Sequence, residues 1–471
     1  MQIDKKDVLW NYGATFLKIA SSAVLLPFIL RMMSSEMVGI WSIFMTITIL
    51  TTLLDFGFSS AFTRNVTYVF SGVTNLKING HESVSKDNRA IDYALLKGVI
   101  SSMRWFYLLM AGILFLLLST IGTYYIYSIL QVYEGDPQEV LIAWVLLCLI
   151  STYNLLTNYY DALLLGKGLI KKSKQIIIIG QTVYLFIAAI LIMAGYGLVA
   201  IVSAQASSVI IIRLLSYNSF FTKDLKHKLF NTKSRPRKEV LKAVYPNAIK
   251  IGITSLGSFL VQRSAIILGV FFLPLEKIGS FGITMQLIAV IVSLAGIYTA
   301  TYQPKIAQLR IRNNNVAIKE IYLKGQIFLF VTFFIGGLGL LIFGPWAIHF
   351  IGSQTELIPT NLILIALIVS LLESNHAIAG GILLTKNEVP FFKAAIFSGV
   401  LSIILLLFFL KLTNFGLWAM IAAPGIAQGV YQNWKWPIEV IKELEINKKD
   451  MHKTIIGIKM KIINKLKLIN S

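Results

Sequence analysis

The chain has 471 residues, of which 56% are hydrophobic and only 14% are charged. Soluble domains usually carry about 25% charged residues, so this composition leaves too little polar surface for a water-soluble globule and indicates a membrane protein. The net charge of +21 would suit a nucleic-acid-binding protein, but the basic residues are spread over many separate loops, which excludes that class. The single cysteine, Cys148, excludes disulfides and cysteine-based zinc sites.

Apolar runs long enough to cross a hydrocarbon core of about 30 Å recur along the whole chain. The first one is not followed by a small-residue cleavage site, so we interpret it as an uncleaved helix and not as a signal peptide. We therefore expect an all-α polytopic membrane protein. Twelve transmembrane helices are predicted, at residues 8–30, 36–57, 99–121, 139–163, 175–194, 198–220, 248–273, 278–302, 325–346, 359–383, 394–411 and 415–436.

The basic residues lie almost entirely in alternate loops of this scheme. The opposite loops hold only three, Arg31, Lys277 and Lys411. Because cytoplasmic loops carry an excess of Lys and Arg, both termini are predicted to be cytoplasmic. The chain then divides into an N-terminal six-helix bundle, a cytoplasmic linker, a C-terminal six-helix bundle and a basic cytoplasmic tail, at residues 1–220, 221–247, 248–437 and 438–471. The tail is either an amphipathic helix on the membrane surface or a solvated extension.

Three short motifs occur twice, in the same order and at the same places in the two halves. "EMVGIW" at 36–41 returns as "EKIGSF" at 276–281, "LLGKGLIKKSK" at 164–174 as "LLTKNEVPFFK" at 383–393, and "YGLVAI" at 196–201 as "FGLWAM" at 415–420. Six helices per copy is an even number, so the copies have the same orientation. The repeat predicts two parallel six-helix bundles related by a pseudo-two-fold axis along the membrane normal, with cargo bound between them near the midplane.

The two six-helix halves, with "SSEMVGIWS" between helices one and two and "LLDFGFSSAFTR" closing helix two, resemble the MOP flippase superfamily. Within it they are most similar to the polysaccharide-transporter branch, which contains the O-unit (Wzx-type) flippases. The lipid II flippases of the same superfamily have fourteen helices. With twelve predicted helices, the chain is less similar to those flippases.

This resemblance implies a function, a partner and a location. Members of the branch move polyprenyl-diphosphate-linked oligosaccharides from the cytoplasmic to the periplasmic leaflet of the bacterial inner membrane, in the assembly of O-antigen and other polysaccharides. The implied partners are that lipid-linked oligosaccharide, the lipid bilayer and, potentially, a polysaccharide polymerase or other assembly proteins.

Ionisable groups at membrane depth are costly, so each is a candidate for function. Lys18 lies at the middle of helix one, on a polar stripe that includes Asn11, and Arg263 lies near the middle of the equivalent helix seven, beside Gln262. Two cations on paired helices predict a positive central cleft that binds the diphosphate by charge-assisted hydrogen bonds. We predict that Lys18, Arg263, Asn11 and Gln262 bind substrate; the alternative is that the cations are paired internally.

Glu373 and His376 lie three residues apart on helix ten, on one face. A Glu-x-x-His spacing also occurs in metal sites, but no second cluster accompanies it, so no metal and no cofactor are expected. We predict that the pair couples transport to an ion gradient; contact with the sugar, or a structural role, stays open.

Helix four carries a stripe of Asn154, Asn158 and Asp161. We predict that the two amides bind sugar hydroxyls and that Asp161 takes part in ion coupling, with an interhelical hydrogen-bonded seam as the equal alternative.

Three further charged residues are interpreted structurally. Asp55, at the end of helix two, is expected to cap a helix or pair with Arg64, ahead of a coupling role. Arg213 and Lys250 are expected to extend toward the inner membrane surface as anchors.

The function predicted from these features is that of a flippase working by alternating access. The chain is not expected to be an enzyme, because it has no nucleotide-binding glycine–lysine motif and its outer loops are short. The first alternative is a MATE-type multidrug or toxic-compound antiporter, which would need cleft carboxylates for cationic drugs. A membrane enzyme of glycan assembly and a non-transporting scaffold protein are the remaining alternatives.

Overall fold

In a computed structural model of the protein, every regular element among the described residues is a helix. The description covers residues 5–70, 72–74, 76, 91–311, 314–386, 389–452, 454 and 456–457. Within the helices it leaves out the side chains of some positions, including Asn11 and Lys18.

The chain forms two compact units. The first extends to Leu256 and also includes Pro274–Gly279 and Ile351–Thr355. Its helices are α1 (Lys5–Met32), α2 (Ser35–Leu53), α3 (Phe58–Phe70), α4 (Tyr93–Leu117), α5 (Thr123–Leu130), α6 (Pro137–Leu156), α7 (Tyr159–Gly166), α8 (Ile170–Met193), α9 (Gly197–Phe220) and α10 (Lys223–Phe230), followed by the first part of α11 (Arg237–Gly269). A π-helical turn, Leu118–Gly122, joins α4 to α5.

The first unit is built around α6 and α9, which pack against each other. Helix α8 packs between α9 and α1, α6 also contacts α2 and α4, and α3 packs on α7. Trp144 of α6 lies fully buried in this core, and its indole N–H donates to the hydroxyl of Thr123 over 3.0 Å. This arrangement brings α2, α4, α6, α7 and α9 together, so polar side chains on them can meet.

The second unit comprises Gly257–Leu273, Ser280–Phe350 and the chain from Glu356 onward. It holds the end of α11 and the helices α12 (Leu275–Ile311), α13 (Asn315–Ile351), α14 (Thr360–Leu384), α15 (Phe392–Leu412), α16 (Leu417–Gly429) and α17 (Gln432–Glu443). Helix α16 packs on α15, and α14 packs on both α16 and α17. Gly257 of α11 and Gly399 of α15 let those two helices approach closely, since a Cβ on Gly399 would lie 3.0 Å from the Gly257 carbonyl oxygen.

Within the described part of the chain, nine helical stretches are long and apolar enough to cross a membrane. Many of their large apolar side chains, such as Phe334 and Ile342 on α13, are exposed, as expected of lipid-facing surface. The protein is therefore a multi-pass membrane protein. A helix, or a helix broken in the middle, lies at each of the twelve predicted spans. The twelve-span count, the parallel bundles, the domain boundaries and the orientation of the termini stay predictions.

Two predicted spans are interrupted, the fourth between α6 and α7 and the twelfth between α16 and α17. The second ends early, at Leu53, and a four-residue turn connects it to α3, which lies beyond the predicted span. The predicted linker contains a regular helix, α10, whose Leu225 and Leu229 side chains are buried. Residues 458–471 of the predicted tail lie outside the described residues.

The two copies of the hexapeptide motif begin α2 and α12 in the same register. Each helix begins one residue before the glutamate, at Ser35 or Leu275, so the motif glycine is the fifth helical residue. A Cβ on Gly39 would lie 2.3 Å from the Leu275 carbonyl oxygen, and one on Gly279 would lie 2.8 Å from the Ser35 carbonyl oxygen. Both glycines belong to the first unit. The two motifs therefore pack directly on each other, backbone against backbone.

A second motif pair also shares its local conformation. Gly197 and Gly416 both have positive φ angles, 43° and 54°, immediately at the beginning of α9 and α16. Glycine adopts this region without steric cost.

We predict that Gly39→Ala destabilises the protein, because the added methyl group would collide with the Leu275 carbonyl oxygen. Overpacking of this kind costs roughly 1–3 kcal/mol, measurable as a lower midpoint of thermal unfolding in detergent. Gly112→Ala is the control, since no atom lies within 4 Å of its added Cβ and alanine favours a helix. Equal melting of the two variants would contradict the close contact.

Candidate functional site

Two breaks in the helices of the first unit lie at polar residues. Between α2 and α3 the chain turns at 54–57, where Phe56 and Gly57 have positive φ angles of 45° and 70°. The Asp55 carboxylate accepts a hydrogen bond from the Ser59 backbone N–H at 3.1 Å and so caps α3. The second break, between α6 and α7, contains Asn158. Packing of α3 on α7 brings the two breaks together.

Asp55 connects these two breaks. Its Oδ1 accepts hydrogen bonds from the Tyr107 hydroxyl and, at 3.2 Å, from the Asn158 amide. The expected capping role is confirmed by the bond to Ser59. The expected alternative partner, Arg64, makes no ion pair with Asp55 among the described residues.

Arg213 lies at the centre of the same region, and the prediction that it is a surface anchor is wrong. Only 5% of the surface of Arg213 is exposed to solvent. One guanidinium nitrogen donates to Asp161 Oδ2 at 2.8 Å, and the other donates to Asn154 Oδ1 at 2.6 Å and to Asn158 Oδ1 at 3.4 Å. Because α9 packs on α6 and α7, position 213 faces these groups and not the membrane surface. Lys250, in contrast, is exposed.

We call Asp55, Tyr107, Asn154, Asn158, Asp161 and Arg213 the first-unit network. Its residues lie on α4, α6, α7 and α9 and in the two helix breaks. A guanidinium and carboxylate buried together are stabilised when further hydrogen-bonding groups also find partners. The two asparagines supply acceptors for one terminal nitrogen of Arg213, while its Nε is left without a hydrogen bond. The contacts form the interhelical seam that the sequence left open as the alternative to sugar binding.

A second group of polar residues lies in the second unit, on α11, α14 and α17. The Gln262 side-chain amide donates to Glu373 Oε1 at 2.6 Å. His376 Nδ1 lies 2.8 Å from the Asn433 Oδ1. Asn433 is in the first turn of α17, directly after the break that follows α16. The break thus places a buried amide against the histidine.

Arg263 differs from Arg213 in lacking such partners. It is partly buried, and it forms no ion pair within the described part of the chain. The Nε of both arginines is shielded from solvent without a hydrogen bond, so the difference lies in the terminal nitrogens, which bond a carboxylate and two amides in Arg213. The Glu373 carboxylate attracts it from a longer distance but is already bonded to Gln262. We call Gln262, Arg263, Glu373, His376 and Asn433 the second-unit cluster.

The structure brings together most of the predicted site residues. Asn154, Asn158 and Asp161 share the first-unit network, and Gln262, Arg263, Glu373 and His376 share the second-unit cluster. The side chains of Lys18 and Asn11 lie outside the described residues, although both positions are within α1. The roles assigned to all these residues stay predictions.

Four participants were not among the predicted site residues. Tyr107 and Asn433 were not singled out, and Asp55 and Arg213 were interpreted structurally. Arg213 interrupts the apolar run "VIIIRLL", which is the signal of a residue paired inside the bundle. The described residues contain no group of three or more His, Cys, Asp or Glu that could hold a metal ion.

No family model and no curated protein matches the sequence. Among solved structures, an inward-facing multidrug resistance MATE family transporter of the MOP superfamily has a TM-score of 0.66 at 16% identity, over 92% of this chain and 94% of that one. The lipid II flippase MurJ, in an inward closed conformation, has a TM-score of 0.63 at 14% identity, over 98% and 92%.

A third structure is that of a MOP superfamily transporter from Pyrococcus furiosus, for which the reversed polarity of its binding pocket suggests a different function. It has a TM-score of 0.57 at 15% identity, over 94% of this chain and 96% of that one. At these identities the likeness is one of fold. The chain has the fold of these MOP superfamily structures, which are those of transporters and of a lipid II flippase.

We predict that Arg213→Met lowers the thermal stability of the protein, because it leaves Asp161 and two amides without their donor. Removing one partner of a fully buried pair costs about 3–5 kcal/mol, and we expect less here because the Asp161 side chain is 33% exposed. The double variant Arg213→Met/Asp161→Asn removes both charges and should regain part of the loss. Equal melting of the single and double variants in detergent would show that the pair does not matter for stability.

Proposed function

We propose that this protein is a flippase that moves a polyprenyl-diphosphate-linked oligosaccharide from the cytoplasmic to the periplasmic leaflet of a bacterial inner membrane. It does so by alternating access, coupled to an ion gradient. In this proposal the diphosphate and sugar pass through the protein while the polyprenyl chain stays in lipid.

The observation that carries the proposal is the uncompensated guanidinium of Arg263. A charge at membrane depth costs several kcal/mol unless it faces a partner or water. Arg213 shows how this chain satisfies an internal arginine, with one carboxylate and two amides. Arg263 has no equivalent set among the described residues. A diphosphate would supply the missing acceptors, because a guanidinium binds phosphate oxygens through two parallel charge-assisted hydrogen bonds.

The groups around Arg263 suit the rest of such a cargo. Gln262 is exposed, and its amide can hydrogen-bond sugar hydroxyls as well as Glu373. Glu373 attracts Arg263 in the structure, so an arriving diphosphate would compete with this carboxylate for the guanidinium. That competition gives a physical reason for Glu373 and His376 to take up a proton when cargo binds. Lys18 is proposed as a second cation for the diphosphate.

The structural neighbours and the charge of the second-unit cluster both support the proposal. The MurJ structure, a lipid II flippase, has the same fold over nearly the whole chain. In the Pyrococcus furiosus transporter, which has the same fold, the reversed polarity of the binding pocket suggests a different function. An unpaired cation in the second-unit cluster favours an anionic cargo over a cationic one.

The second candidate is a multidrug antiporter of the MATE type, favoured by the fold of the MATE neighbour and by the carboxylate of Glu373. The two candidates differ in the sign of the charge that the cargo carries. Gene deletion distinguishes them, since loss of a flippase leaves lipid-linked oligosaccharide in the inner leaflet, whereas loss of a drug pump increases drug sensitivity.

We predict that Arg263→Ala reduces flipping of a polyprenyl-diphosphate-linked oligosaccharide in proteoliposomes by about tenfold to a hundredfold, the equivalent of losing one charge-assisted hydrogen-bonding group of about 1.5–3 kcal/mol. Arg263→Lys should retain part of the activity, because it keeps the charge but not the planar fork.

The matched control is Arg31→Ala, which removes an exposed arginine at the end of α1. It should flip cargo at the rate of the unchanged protein. Full activity of Arg263→Ala, with normal expression, would overturn the assignment of the diphosphate to this residue.

We further predict that Glu373→Gln weakens the dependence of flipping on the proton gradient while cargo still binds, because the variant cannot change its charge. The measurement is the flipping rate in proteoliposomes with and without an imposed pH difference. A rate that responds to that difference as strongly as in the unchanged protein would show that Glu373 is not a coupling group.

A further inference from the structure

The first-unit network has an unbalanced charge. It contains two carboxylates, Asp55 and Asp161, against one guanidinium, that of Arg213. Within an apolar helix bundle an excess charge is costly, and the bundle is more stable when such a charge is neutralised. A further cation, Lys174, attracts Asp161 but is not among the groups that act on Asp55. A proton on Asp55 would therefore remove the charge of the network that no cation balances.

The contacts distinguish the two carboxylates. Asp161 forms a direct ion pair with Arg213 at 2.8 Å, which stabilises its charged form. Asp55 has no cation within ion-pair distance among the described residues, and its partners are the Tyr107 hydroxyl, the Asn158 amide and the Ser59 backbone N–H. The Asp55 residue is partly buried and not fully enclosed. The excess negative charge therefore lies on Asp55.

We propose that Asp55 is a proton-binding site of the first unit, and that binding of the proton changes the two helix breaks that Asp55 connects. This inference rests on the proposed function only in assigning the site to ion-coupled transport. It places the coupling carboxylate of this unit at Asp55, where the sequence alone favoured Asp161.

The step is a simple protonation. A proton from water binds a carboxylate oxygen of Asp55, and the network loses its excess negative charge. The neutral acid is a weaker acceptor for the Ser59 N–H, which caps α3, and for the Asn158 amide at the break between α6 and α7. Both contacts weaken together, so α3 and α7 become free to change their angles to α2 and α6.

The groups that face Asp55 come from each element around it. Tyr107 from α4 and Asn158 from the second break contact it directly, and Ser59 contacts it from α3. Asp161 and Arg213 are linked to Asp55 through Asn158, whose Oδ1 accepts a hydrogen bond from the Arg213 guanidinium. Tyr107 is the titratable group in direct contact, and its neutral hydroxyl donates a hydrogen bond to the carboxylate.

Infrared difference spectroscopy of the full-length purified protein tests the proposal without any cargo. As the pH is lowered, the unchanged protein should develop a carboxylic-acid C=O band from Asp55. Asp55→Asn should lose that band, and Asp161→Asn, the matched control, should retain it. A band that persists in full in Asp55→Asn, or that disappears only in Asp161→Asn, overturns the proposal.

Tyr107→Phe provides a second measurement if Asp55→Asn does not fold. It keeps the carboxylate but removes one donor to its charged form, so the midpoint of the band should move upward by about one pH unit. An unchanged midpoint also overturns the proposal. Because the spectra contain no oligosaccharide, failure of the flippase assignment leaves this result intact, and failure here leaves the Arg263 experiment intact.

Discussion

The pairing of Arg213 with Asp161 is the interaction on which the first unit depends. A guanidinium inside a bundle of apolar helices has no water to solvate it, so it requires acceptors from the protein itself. The carboxylate from α7 and the amides from α6 and the adjoining break supply them. Satisfying one cation thus fixes the relative positions of α6, α7 and α9, and through Asn158 it also fixes the turn that follows α2.

The same requirement gives different results in the two units. Among the described residues of the first, an arginine is paired with a carboxylate, and a second carboxylate, Asp55, has only neutral donors. In the described part of the second, the Glu373 carboxylate is bonded to a neutral amide and Arg263 has no ion pair. Both clusters therefore contain charged groups that no direct ion pair balances. Such groups are where an ion or a charged cargo changes the energy of the protein most.

Much of the fold was predictable because long apolar runs have few alternatives to transmembrane helices. Each predicted span coincides with a helix or a broken helix, and Gly39 and Gly279 occupy the same helical position, as the repeated motif indicated. The breaks were not predictable from hydropathy, since Asp55 and Asn158 sit in segments that are apolar enough to read as continuous. Arg213 was misassigned because its distance along the chain from the span's end suggested a surface anchor. Its true partners lie 52 to 59 residues away and are brought close only by packing.

The reciprocal contact of the two hexapeptide motifs has an evolutionary consequence. Each glycine provides the space for the other motif's backbone, so the contact looks the same from either side. In an ancestor with a single copy of the motif, such a surface would have been self-complementary and would have joined two identical chains about a two-fold axis. Gene fusion would then have placed that interface inside one polypeptide, where each glycine still provides the space for the other motif's backbone.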